Sequence, residues 1–203
     1  MKTPIAAQRR SVLRSLAQAG IATQLVHPLA ALAQATTLVP TPACGVSSKA
    51  TAEQTEGPYF KRSSPLRQSL IQDGMSGERL TLTGRVLDTH CQPVAKALLD
   101  FWQADAAGEY DNKTYRLRGH QFSDASGAFR LDTVVPGLYP GRTRHIHVKV
   151  QATGGQVLTT QIYFPNEAAN RGDGIFSPAL LVAMQRDAGG ARAGFDFVIA
   201  VPA

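Results

Sequence analysis

The chain has 203 residues and a formal net charge of +6, with 43% hydrophobic and 18% charged residues. This composition is typical of a folded globular protein and excludes an intrinsically disordered or acidic-tail protein. The sequence contains no apolar run near the roughly 18 residues of a membrane-spanning helix. Two cysteines are too few for a disulfide scaffold or a four-cysteine zinc site.

The N-terminal segment, residues 1–35, contains no acidic residue and supplies four of the six net positive charges. The four basic residues are Lys2, Arg9, Arg10 and Arg14. An arginine pair, a weakly apolar stretch and the small residues Ala33-Gln34-Ala35 are typical of a twin-arginine export signal. We expect cleavage after Ala35 and a periplasmic protein; the alternative is an amphipathic helix that stays attached. Since the rest of the chain is nearly neutral, its charge does not indicate a nucleic-acid partner.

The segment after the predicted signal, residues 36–54, begins rich in Thr, Pro, Ser and Gly, which indicates an extended arm or linker. Residues 55–203 form one predicted domain, in which turn residues separate short alternating segments. Six strands are predicted: 79–86, 97–102, 129–134, 144–150, 157–164 and 195–201. One short C-terminal helix is predicted at Pro178–Arg186, with Leu180, Leu181 and Met184 on one side. The fold class is therefore all-β, an antiparallel β-sandwich.

The two cysteines, Cys44 and Cys91, lie in the predicted arm and in a predicted turn. In an exported protein, a disulfide between them would tie the arm to the domain. Without geometry, two unpaired thiols are equally compatible with the sequence.

A pair of histidines, His145 and His147, lies on one of the predicted strands. Residues i and i+2 of a strand point to the same face about 7 Å apart, so two imidazoles could reach one metal. Two exposed histidines are nevertheless more often solvated than ligating. Only His90 and His120 remain outside the predicted signal, and no Glu follows closely. These residues do not complete a copper/zinc superoxide dismutase or cupin site, so further ligands would be of another type.

Tyrosine is the candidate for these further ligands. Tyr110 follows an apolar strand, and Tyr139 lies in a turn that leads into the histidine strand. A phenol with a pKa near 10 is a poor ligand for Zn²⁺ at neutral pH. A trivalent cation such as Fe³⁺ offsets the cost of removing the phenol proton. Taken singly, either tyrosine also fits a half-buried packing residue.

A series of ordered motifs runs from residue 55 to residue 164. They are Thr55-Glu56-Gly57-Pro58-Tyr59, Leu82-Thr83-Gly84-Arg85-Val86-Leu87-Asp88, Phe101-Trp102-Gln103-Ala104-Asp105, Arg118-Gly119, Pro136-Gly137-Leu138-Tyr139, Arg142-Thr143-Arg144-His145-Ile146-His147 and Thr160-Gln161-Ile162-Tyr163-Phe164. In these motifs and their spacing the chain resembles the intradiol ring-cleavage dioxygenases, which include protocatechuate 3,4-dioxygenases and catechol 1,2-dioxygenases.

The resemblance implies one mononuclear non-haem Fe³⁺ held by four residues, with a hydroxide in addition. The four are Tyr110 and His145 in equatorial positions, and Tyr139 and His147 in axial ones. Arg142 and Gln161 match the family's active-site arginine and glutamine, which stabilise charge on the substrate and position its ring. Tyr139 would also take a substrate proton. The implied partners are O₂ and a catechol, cleaved between its two hydroxyls to a muconate-type diacid; a homo-oligomer is compatible with the resemblance.

Two alternatives use parts of the same pattern. The features from Gly84 to Tyr139 are also typical of prealbumin-like and carboxypeptidase-regulatory-like sandwiches, which are non-catalytic binding modules. A sandwich that binds copper or zinc without oxygenase activity is the other alternative.

Arg171-Gly172-Asp173 spells an integrin-binding motif, which we attribute to chance.

Overall fold

The computed structural model describes residues 49–202, which contain nine β-strands and two 3₁₀ helices. The strands are β1 Arg79–Asp88, β2 Leu98–Trp102, β3 Arg118–Phe122, β4 Ala128–Val134, β5 His145–Gln151, β6 Leu158–Tyr163, β7 Ala183–Asp187, β8 Gly190–Gly194 and β9 Phe197–Ile199. The 3₁₀ helices are Ala168–Arg171 and Pro178–Leu180. The predicted signal and most of the predicted arm, including Cys44, lie outside the described residues, so those predictions stay predictions.

The strands form two sheets that pack face to face. One sheet has the order β4-β1-β8-β7, with β9 also pairing with β1, and the other has the order β3-β2-β5-β6. Every pair in the second sheet is antiparallel, whereas β1 pairs in parallel with β8 and β9. The predicted all-β sandwich is confirmed. No helix in residues 49–202 is long and apolar enough to cross a membrane.

The core lies between the sheets and follows the two-residue period of the strands. On β5, Ile146, Val148 and Val150 are fully buried and belong to the core cluster. Their neighbours His145 and His147 therefore point away from the core, to the outer face of the second sheet. Both histidines are still buried, because loops cover this face. The sandwich thus supplies a strand that holds two imidazoles on its outer face, where loops cover them.

Five predicted strands correspond to observed strands within about two residues, while the last, 195–201, shortens to β9. The predicted helix at Pro178–Arg186 is wrong: a 3₁₀ turn at Pro178–Leu180 leads into β7. Leu180 and Val182 are buried and Met184 is partly buried, which is the two-residue period of extended chain. Strands β3, β7 and β8 were not predicted, because their residues are mostly polar or small.

The end of the predicted arm packs along the sandwich. The backbone N–H of Thr51 donates to the Val198 carbonyl at 2.9 Å, and that of Gln54 donates to the Thr159 carbonyl at 2.8 Å. Residues 51–59, which we call the strap, therefore belong to the domain and reach the outer face of the second sheet.

Cys91 lies in the turn between β1 and β2, where Asp88 accepts hydrogen bonds from the backbone N–H groups of His90 and Gln92. Cys91 is disulfide-bonded. The alternative of an unpaired thiol is therefore excluded for this residue.

Candidate active site

The two histidines of β5 converge at their Nε2 atoms, which are 3.1 Å apart. The Nδ1 atom of His145 lies 2.6 Å from the Thr143 carbonyl oxygen. A carbonyl only accepts, so Nδ1 carries the proton and Nε2 has a free lone pair. The ring of His147 stacks on Trp102, with centroids 4.8 Å apart and planes 9° apart. These contacts orient both imidazoles toward one point.

Two loops bring Tyr110 and Tyr139 to this point, and two glycines allow the loops to touch. The Asp105 carbonyl accepts hydrogen bonds from the backbone N–H groups of Gly108 and Gly137 at 3.0 and 2.7 Å. A Cβ atom on Gly108 would lie 2.0 Å from the Leu138 carbonyl oxygen, and one on Gly137 would lie 2.3 Å from the Gly108 nitrogen. The two tyrosine rings consequently meet edge to face, with centroids 5.9 Å apart.

The structure places the four predicted ligands together but not equivalently. The hydroxyl of Tyr110 lies 3.2 Å from His145 Nε2, so three donor atoms from Tyr110, His145 and His147 face one another. The hydroxyl of Tyr139 is instead hydrogen-bonded to the hydroxyl of Tyr59 at 2.9 Å. Tyr139 thus lies beside the three converging donors, against the ring of Tyr110.

The protonation states of these donors fit a metal. Burial lowers the pKa of His145 to about 4 and lowers the pKa of His147 well below its ordinary value. Both imidazoles are therefore neutral near pH 7, the state that binds metals. Burial raises the pKa of Tyr110 above its ordinary value, so its phenolate needs a strong cation nearby.

The geometry of these donors fits a metal as well. Two ligand atoms at about 2.1 Å from one metal and at a right angle lie about 3 Å apart, close to the observed separations. In residues 49–202, no group of three or more His, Cys, Asp or Glu side chains could hold a metal ion. A metal at this point would therefore need a phenol beside the two imidazoles, and a phenolate suits Fe³⁺ better than Zn²⁺.

Arg142 and Gln161 lie in direct contact. Arg142 Nη2 donates to Gln161 Oε1 at 2.6 Å, and Gln161 Nε2 donates to the Thr55 carbonyl at 2.9 Å. Gln161 pairs with His147 across β5 and β6, and the positive charge of Arg142 adds to burial in lowering the pKa of His147. The two predicted residues therefore border the converging side chains of Tyr110, His145 and His147. The amide oxygen of Gln161 accepts a hydrogen bond from the guanidinium of Arg142.

Tyr59 belongs to the motif Thr55-Glu56-Gly57-Pro58-Tyr59 but was not predicted to act in the site. Its ring stacks on Tyr110 at 4.3 Å with planes 17° apart, and its hydroxyl pairs with Tyr139. Buried Arg118 donates to the backbone carbonyls of both Tyr59 and Asp111, which holds this stack in place. The sequence signal for Tyr59 was the Gly57-Pro58 pair, which indicates a turn directly before it. In the structure Gly57 has a φ of +68° and lies against His147, so this turn brings Tyr59 to the site.

A model of the dioxygenase family matches residues 55–199, more than half of the chain. The protocatechuate 3,4-dioxygenase beta chain of Burkholderia cepacia is 37% identical over 130 residues, 55% of each chain. The chain belongs to the intradiol dioxygenase family.

Solved structures of the intradiol dioxygenases share this fold. The dioxygenase domain of a dioxygenase carbohydrate-binding protein fusion from Streptomyces sp. SirexAA-E is 52% identical, with a TM-score of 0.74 over 76% of this chain and 100% of that one. The 3-chlorocatechol 1,2-dioxygenase of Rhodococcus opacus 1CP is 31% identical, with a TM-score of 0.68 over 73% of this chain and 72% of that one. The chain spans about half the length of the curated relatives that it matches first.

The glycine contact between the tyrosine loops yields a matched pair of substitutions. Gly108 and Gly74 both have positive φ, of 89° and 71°, but a Cβ at Gly74 meets nothing within 4 Å. We expect Gly74→Ala to cost about 1 kcal/mol of unfolding free energy from backbone strain alone. Gly108→Ala adds a backbone clash and should cost about 3 kcal/mol or more. Denaturant unfolding of the metal-free variants checks this, and equal losses would contradict the proposed loop contact.

Proposed function

We propose that the protein is a mononuclear non-haem Fe(III) intradiol dioxygenase. It inserts both atoms of O₂ into a catechol-type diol and cleaves the ring between the two hydroxylated carbons, giving a muconate-type diacid. The convergence of Tyr110, His145 and His147 on one point is the observation that carries this proposal. The relatives' names, among them protocatechuate, hydroxyquinol and chlorocatechol dioxygenases, support a substrate of the catechol class.

The iron would be held by Tyr110, Tyr139, His145 and His147. When bound, its charge lowers the pKa of coordinated phenols and catechol hydroxyls, and it allows electron donation from the diol toward O₂. His147 is enclosed on two sides. Trp102 stacks on its ring, and Gly57 approaches the same ring. A non-catalytic sandwich module has no use for such converging donors.

Tyr139 would accept one of the substrate protons. A catechol must lose two protons to bind as a dianion, and a phenolate is a suitable base for one of them. The hydrogen bond with Tyr139, followed by burial, raises the pKa of Tyr59 above its ordinary value. Tyr59 therefore stays protonated and can donate to the Tyr139 oxygen across 2.9 Å. The hydrogen bond from Tyr59 would hold the Tyr139 side chain in position while Tyr139 carries the substrate proton.

Arg142 would stabilise the negative charge that develops on the substrate ring. Its side chain is only 19% exposed, so the guanidinium acts where water screens it little. Gln161 fixes one end of that guanidinium. A preorganised donor of this kind lowers the barrier because it needs no reorientation during the reaction. In this proposal Gln161 acts mainly by holding Arg142.

The activity can be tested by oxygen uptake across a panel of catechols with recorded product spectra. We expect one O₂ consumed per diol and a muconate-type product. Tyr110→Phe and His147→Ala should lower turnover or iron content by about 100-fold, because each removes a ligand. A yellow extradiol semialdehyde would overturn the proposed reaction.

The matched control for the Tyr110 variant is Tyr115→Phe. The hydroxyl of Tyr115 donates to the Arg62 carbonyl, away from the converging donors. This variant should keep its iron and its turnover. Retained turnover in both ligand variants, with a retained β-rich fold, would contradict the ligand assignment.

We further propose that residues 1–35 direct export by the twin-arginine route and that the enzyme works in the periplasm. Its support is the Arg9-Arg10 pair with Ala33-Gln34-Ala35 downstream. Replacing both arginines by lysine should leave the protein in the cytoplasm, whereas Arg14→Lys keeps the pair and should be exported. Cell fractionation measures both, and wild-type periplasmic levels of the double variant would refute the proposal.

A further inference from the structure

Asp173 is a buried carboxylate beside the predicted active-site arginine. Its side chain is 1% exposed, and its Oδ2 atom accepts from Arg142 Nε at 2.9 Å and from the Thr143 backbone N–H at 3.0 Å. Its Oδ1 atom accepts from the Ile175 backbone N–H at 3.1 Å. Burial raises the pKa of Asp173, but these hydrogen bonds outweigh burial and hold it below its ordinary value. The carboxylate is therefore charged at neutral pH.

The contacts of Arg142 leave one of its three nitrogens available. Nε donates to Asp173, and Nη2 donates to Gln161 Oε1 at 2.6 Å and lies 3.5 Å from the Tyr163 hydroxyl. Among residues 49–202, Nη1 has no hydrogen-bond partner. A guanidinium is planar, so anchors at Nε and at Nη2 fix the direction in which the Nη1 hydrogens point.

We propose that Asp173 is a positioning residue, whose hydrogen bond to Nε fixes the guanidinium of Arg142 so that Nη1 faces the charge that develops on the substrate. The inference rests on the function proposed above for Arg142. Asp173 is the last residue of the Arg171-Gly172-Asp173 sequence, and the positioning role explains this aspartate without integrin binding. Asp173 would not touch the substrate and would act through the orientation of Arg142.

Asp173 is also connected to the site through Thr143 and His145, and the test has to distinguish this connection from the one through Arg142. Asp173 also binds the Thr143 N–H, and the Thr143 carbonyl accepts from His145 Nδ1. Loss of the carboxylate could therefore disturb a metal ligand instead of the arginine. The histidine route would change iron content and the visible spectrum of the iron protein, whereas the arginine route would change turnover alone.

The test is a double-mutant cycle on the iron-loaded enzyme with Asp173→Asn and Arg142→Lys. Asn keeps an amide oxygen for the Thr143 N–H but has no charge for the guanidinium, and Lys lacks the Nε–H. We expect Asp173→Asn to lower kcat about 10- to 100-fold, with KM, iron content and spectrum little changed. In the Arg142→Lys background, Asp173→Asn should cost about 3-fold or less, because the residue it positions is gone. Asp173→Glu should recover part of the loss.

The matched control is Asp187→Asn, which removes an exposed ion pair with Arg192 at the β7–β8 turn and should leave kcat unchanged. If Asp173→Asn does not fold, Asp173→Glu completes the same cycle. Additive losses in the double variant, or a shifted spectrum with loss of iron, would overturn the positioning role while the proposed function stands. Wild-type enzyme without turnover on any catechol would overturn the proposed function and this inference with it.

Discussion

Two neutral imidazoles that face each other at 3.1 Å inside the protein are the constraint on which the rest of the site depends. Burial keeps both rings uncharged, and the neutral imidazole is the form that binds a metal. Strand β5 brings the two rings together, because its two-residue period puts both histidines on one face. Ile146 and Val148 lie on the opposite face and are packed in the core. In the proposed site the loops supply the remaining ligands, which are the phenols of Tyr110 and Tyr139.

The strap, residues 51–59, joins the two sides of the site. On the arginine side, Thr55 accepts from the Gln161 amide, and Gln54 accepts from the Tyr163 hydroxyl. On the metal side, Gly57 lies against His147, and Tyr59 pairs with Tyr139. Residues 51–54, which were predicted to belong to an arm or linker, therefore form part of the boundary of the site. A change in the strap would alter the arginine network and the tyrosine pair together.

Local pattern predicted the fold class and the histidine strand, and the resemblance of the ordered motifs to the dioxygenase family indicated the four candidate ligands. Alternation on β5 and the turns before Tyr110 and Tyr139 are local features, so a single sequence reveals them. The contacts of Tyr59 with Tyr139 and of Arg142 with Asp173 join residues 80 and 31 positions apart. Such pairs arise from strand order and loop packing, which no local pattern encodes. The error at Pro178–Arg186 has the same origin: a bridge between Tyr163 and Leu181 holds that segment extended.

Binding of Fe³⁺ by Tyr110 and the two histidines is best tested by the visible absorption spectrum of the iron-loaded protein. A phenolate bound to Fe³⁺ transfers charge to the metal, so the protein should be red to brown. The band should weaken and shift in Tyr110→Phe at equal iron content, while Tyr115→Phe keeps the wild-type spectrum. A colourless protein with full iron occupancy would contradict the claim.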